Sequence, residues 1–247
     1  MSNFWNDWKR KTKLEESAIK SIKTGRKILL NEIPKEQIVA IYAKGSFVRR
    51  EMNKKSDVDT VTILKESKYL KNLQQLEGKY GDRYKPQIQF SGYSLWELKR
   101  NKKTKHGNKL RASPSRTVQH LDHYKLLYGE KLDKSDFHQG SREGHLRGML
   151  HAFKEIFLPG YEKNKFGFSD LVKQVFWLVE NEQIWKGKNP PHHWGRLAKS
   201  IKDENHIIHD ALRYRLKPIK DKNERAKFIR KLKKYISELE KLAHTKH

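Results

Sequence analysis

The 247-residue chain contains no cysteine, which excludes disulfide frameworks, Cys-ligated zinc and thiol nucleophiles. No apolar run approaches the ~20 residues that span a bilayer, so a membrane helix is excluded too. The opening MSNFWNDWKRKTK lacks the apolar stretch of a secretory signal, and the expectation is a soluble cytoplasmic protein. Acidic residues are scarce: 29 Asp and Glu stand against 55 Lys and Arg, a formal charge of +26. Only 35% of residues are hydrophobic, yet 11% are aromatic. Disordered chains lack aromatics, so this composition describes a folded protein with a wet, basic surface. Its length suits one large domain or two small ones.

A surplus of this size makes polyanions natural partners, nucleic acid and nucleotides among them. Part of it is local. Lys99–Arg111, KRNKKTKHGNKLR, holds seven Lys or Arg and no acid, and with no apolar periodicity it reads as a mobile loop.

The remaining pattern predicts an α+β protein. Residues 7–33 carry Leu14, Ala18, Ile22 and Leu29 at helical spacing. Gln37–Ala43 is a β-branched apolar run, Val58–Leu64 alternates, and Pro86–Tyr93 sets Ile88 and Phe90 against Gln87 and Gln89, giving three strands. Ser67–Tyr80 reads as a helix between the last two. Ser113-Pro114 opens another, through Val118, Leu121, Tyr124 and Leu127 to Gly129. Beyond a polar, glycine-bearing stretch every segment reads helical: His145–Leu158, Ser169–Trp185, Trp194–Lys202, Glu204–Leu216 and Asn223–Ala243. Val172, Val175, Phe176 and Val179 form a core stripe. The expected organisation is a small mixed sheet flanked by helices over residues 1–138, followed by an all-α helical bundle over 139–247.

Chemistry concentrates in Tyr42–Leu64, YAKGSFVRREMNKKSDVDTVTIL. A strand delivers Gly45 and Ser46 into a turn at a helix start, and Asp57 and Asp59 follow as the next strand begins. Alternate strand positions point one way, so the two carboxylates converge. Side by side they repel, and a divalent cation relieves that cost; Mg²⁺ takes one or two carboxylates together with phosphate oxygens. Gly45 allows a phosphate close to the backbone, Ser46 and neighbouring N–H groups can hold it, and Arg49 one turn later can offset its charge. These parts assemble into a metal-dependent phosphoryl or nucleotidyl transfer site.

This stretch resembles the nucleotidyltransferase superfamily that shares the DNA polymerase β-type palm. Within it, the minimal and the aminoglycoside nucleotidyltransferases are the most similar groups. Their G-S, ten residues, D-x-D signature stands here as Gly45-Ser46, residues 47–56 and Asp57-Val58-Asp59, with Arg49 three positions after the serine. LDHYKLLYGEKL from Leu121 also resembles the segment that closes such domains, so the likeness runs over roughly residues 35–135. It implies transfer of a nucleoside monophosphate from an NTP, with ATP the expected donor, to an acceptor hydroxyl with loss of pyrophosphate. Asp57 and Asp59 would be catalytic and hold Mg²⁺ or Mn²⁺, while Gly45, Ser46 and Arg49 would bind the nucleotide phosphates. The family also implies a third carboxylate from a later strand. The outward positions of Pro86–Tyr93 are Gln87, Gln89 and Ser91, which makes Gln89 a neutral candidate ligand and Asp82 the next position to consider. The acceptor stays open between RNA or another polyanion, a protein hydroxyl and a small molecule. The rival reading is a non-catalytic nucleic-acid-binding module on a degenerate nucleotidyltransferase fold.

Overall fold

The computed structural model describes residues 3–108 and 111–245, and the chain divides into two compact units, Met1–Gly140 and Ser141–His247. Lys109 and Leu110 of the basic stretch lie outside the described residues.

In the first unit the elements run α1 (Lys13–Glu32), β1 (Ile38–Lys44), α2 (Gly45–Arg49), β2 (Val58–Leu64), α3 (Leu70–Tyr80), β3 (Ile88–Ser94), α4 (Leu95–Arg100), α5 (Pro114–Gln119) and β4 (Lys125–Gly129). Thr12 starts α1 through a capping box. It accepts from Glu15 N at 3.2 Å, and Glu15 Oε2 accepts from Thr12 N at 2.8 Å. The sheet order is β3-β2-β1-β4, with β1 antiparallel to both neighbours and β2 parallel to β3. Strand alternation sorts its side chains into two cores. Ile41, Ala43, Val58, Leu64, Ile88 and Phe90 bury against Ala18, Ile22 and Leu29 of α1 and Leu70, Leu73 and Leu76 of α3. The opposite face gathers Ala40, Tyr42, Val61, Ile63 and Tyr93 under Leu98 of α4 and Val118 of α5.

The expected helix running to Gly129 is corrected. It stops at Gln119, a 3₁₀ turn covers Leu121–His123, and Lys125–Gly129 is a strand that pairs Ile41 with Tyr128 and Tyr42 with Leu126. Val118, Leu121, Tyr124 and Leu127 mimic a helical period, but the open edge of β1 offers a full ladder of hydrogen bonds, which decides the conformation.

Among the described residues the regular elements of the second unit are all helices: α6 (Arg142–Ala152), a π-helical segment Phe153–Phe157, α7 (Leu158–Glu162), α8 (Phe168–Trp185), α9 (Trp194–Ser200), α10 (Ile207–Leu216) and α11 (Lys222–Thr245). Leu171, Val172, Val175, Phe176 and Val179 of α8 lie at the centre of its core, where Phe176 stacks on Trp194 with ring centroids 4.7 Å apart. No helix among the described residues is long and apolar enough to cross a membrane.

Candidate active site

The second sheet face ends in a polar row. Ala40–Ile63–Tyr93 and Tyr42–Val61–Ser91 are successive ranks across β1, β2 and β3, and the next rank is Lys44–Asp59–Gln89. Helices α4 and α5 cover the apolar ranks, while Asp59 is half-buried and Gln89 exposed. Asp57, also half-buried, directly precedes β2 at the alternate position to Asp59.

Gly45 begins α2 with φ +79°, a conformation that penalises any side chain. A Cβ there would lie 3.1 Å from Asp59 Cγ and overlap Oδ2. The turn and the carboxylate are thus in contact, and the small residue opens a cradle beside Asp59. Hard oxygen donors at alternate strand positions with such a cradle fit a divalent cation, and Gln89 adds a neutral oxygen in register.

Ser46 is buried in the first turn of α2, and its carbonyl accepts from Glu51 N at 2.9 Å. Arg49 is buried as well, its Nε 2.7 Å from Glu51 Oε2, so it serves α2 from inside the protein. The helix ends at Arg50 in the left-handed region (φ 57°). Arg50 is held by Glu15 Oε1 at 2.8 Å and stacks over Trp8 at 4.8 Å, and Phe4, Trp5 and Trp8 surround Phe47. Nothing local in the sequence ties Glu15 and the N-terminal aromatics to the Gly45-Ser46 turn; the contact is tertiary.

Beside the row is an open cavity of about 500 Å³, lined by Lys44 and Gln89 and bounded by α3, the edge of β3 and Gly107, Asn108, Arg111 and Ala112. Its walls mix Leu70, Leu73 and Phe90 with Gln74, Glu77, Ser91 and Arg111. Glu77 Oε2 accepts from Phe90 N at 2.6 Å. Glu77 is an exposed residue, yet partial burial of its carboxyl against β3, with Asp57, Asp82 and Asp59 nearby, pushes it above the ordinary range against the pull of the Phe90 N–H. Asp82 is exposed, is not among the residues lining the cavity, and accepts from Gln87 Nε2 at 2.7 Å.

The basic stretch, expected to be mobile, is anchored in its described part. Glu97, fully buried, receives Arg111 Nη2 at 2.5 Å, Thr104 N at 2.5 Å and Thr104 Oγ1 at 2.8 Å. Arg111 also donates to Gly92 O at 2.7 Å and lies over the Tyr93 ring. Its partners are a buried carboxylate and a strand carbonyl, which hydropathy periodicity cannot reveal.

Residues 22–110 match the nucleotidyltransferase domain family. Among solved structures, the chain is similar to spectinomycin adenyltransferase AAD(9) from Enterococcus faecialis, crystallised with ATP and spectinomycin. The TM-score is 0.58 over 89% of this chain and 99% of that one, at 15% sequence identity. A likeness at that identity is one of fold. No curated protein matches this chain.

Proposed function

From the nucleotidyltransferase domain that this chain carries, we propose that it moves a nucleoside monophosphate from an NTP, with ATP the expected donor, to an acceptor hydroxyl and releases pyrophosphate. The observation that carries the reading is the contact of Gly45 with Asp59 on the rank Lys44–Asp59–Gln89, with Asp57 one alternate position away. In it Asp57 and Asp59 bind Mg²⁺ or Mn²⁺, and Gly45, Ser46 and Arg49 bind the nucleotide phosphates. When bound, the cation aligns the reacting oxygens and offsets the charge growing on the phosphoryl group. A cavity of about 500 Å³ beside the rank suits a small-molecule acceptor, and the fold neighbour crystallised with ATP and spectinomycin supports ATP and a small molecule as the first pair to try.

The test is pyrophosphate release from ATP in Mg²⁺ or Mn²⁺, with spectinomycin or an RNA oligonucleotide added. D57N and D59N should each abolish release while the circular dichroism spectrum stays unchanged, since removing one of two repelling carboxylates costs the fold nothing. Release at the parental rate by either variant removes the site assignment. RNA binding without any release favours the binding-module reading.

A further inference from the structure

As an acceptor hydroxyl attacks phosphorus its proton must go to a base. Asp57 and Asp59 are committed to the cation, and Gln89 beside Asp59 is an amide with no basicity. Among the described residues lining the cavity at Gln89 and Lys44, one carries a carboxylate, and it is Glu77. We propose that Glu77, on helix α3 rather than on the sheet, takes the proton of the acceptor hydroxyl; this rests on the nucleotidyl-transfer reading above.

The position is a held one. Glu77 sits in the last turn of α3, whose Leu70, Leu73 and Leu76 are fixed in the core beneath the sheet. Phe90 N, on the open edge of β3, donates to Oε2 at 2.6 Å, which anchors the carboxylate one residue from Gln89 and leaves Oε1 for a proton. Asp57 just before β2, Asp59 on it and Asp82 after α3 act on it electrostatically, and Lys44 and Arg111 line the same cavity. Partial burial of the carboxyl against β3 raises its affinity for a proton independently of the Asp57 and Asp59 charges that the cation neutralises, which makes it a better base near neutrality than an ordinary glutamate. In the step, the acceptor oxygen bonds to the α-phosphorus as the bond from that phosphorus to the bridging oxygen breaks. Pyrophosphate leaves with the electron pair, and the hydroxyl proton passes to Glu77 and then to solvent.

A purely structural Glu77 would only satisfy the edge N–H of β3. Glu77→Gln separates the two roles, because the amide oxygen can still accept from Phe90 N while the basicity is gone. The assay is pyrophosphate release from ATP and Mg²⁺, with spectinomycin or with water alone as acceptor, followed across pH. For E77Q we expect kcat to fall about 100-fold, KM for ATP to stay within about twofold, and the acidic limb of the rate profile to flatten. The double variant E77Q/Q89E should recover part of the lost rate by returning a carboxylate to the same cavity rim. An E77Q enzyme with the parental kcat and pH profile overturns the role of Glu77 alone, as does a loss confined to KM for ATP. A parent that releases no pyrophosphate overturns the nucleotidyl-transfer reading itself, and this one with it.

Discussion

Gly45 lies directly against Asp59, so close that a methyl group on its α-carbon would overlap the Oδ2 atom. The Gly45-Ser46 turn and the Asp59 carboxylate are thereby packed against each other. Gly45→Ala should cost about 1–2 kcal/mol for the left-handed backbone and push Asp59 aside. Displacing a catalytic group by about 1 Å can lower a rate about 100-fold. A thermal melt and pyrophosphate release measured together check both halves. A G45A protein with parental turnover would separate Asp59 from the chemistry.

Arg111 is the cation that balances the buried Glu97 carboxylate. Arg111→Met should destabilise the first unit by about 3–5 kcal/mol, because the carboxylate would stay buried without its countercharge. Hydrogen exchange should also quicken across residues 101–108, which Glu97 ties down through Thr104 and Arg111. Unchanged exchange there would show that other contacts hold the segment.

In the second unit, Glu182 is buried on α8. Burial alone would raise its pKa, but His206, Lys186 at 2.6 Å and Tyr235 Oη at 2.6 Å hold the carboxyl down to about 2. A depressed carboxyl stabilises the fold above its unfolded value of about 4.5, and that stability is lost as pH falls toward 2. The contribution is on the order of 3 kcal/mol. Denaturant unfolding of the protein at pH 6 and pH 3 should show the drop, and Glu182→Gln should flatten it. An E182Q protein with the parental pH dependence would move the effect to other groups.

The helices of the second unit and the first three strands were legible because each depends on its own residues. Val172, Val175, Phe176 and Val179 repeat at helical spacing, Ile38–Ala43 is a short β-branched apolar run, and Val58–Leu64 alternates as a strand does. The spacing of Gly45, Ser46, Asp57 and Asp59 was equally local, since a turn and two alternate strand positions need no distant partner to be recognised. Strand β4 was not legible: Lys125–Gly129 becomes a strand because the edge of β1 is open to it. Glu77 carries no motif, and it meets the candidate site only because α3 crosses beside the edge of β3 and Phe90 N reaches its carboxylate. The basic stretch looked mobile because charge has no period, yet one buried glutamate outside the described loop supplies the countercharge that anchors it. Local periodicity and spacing therefore determined the elements and the motif. The partners of edge N–H groups and buried charges lie far along the chain, and only the tertiary structure decided them.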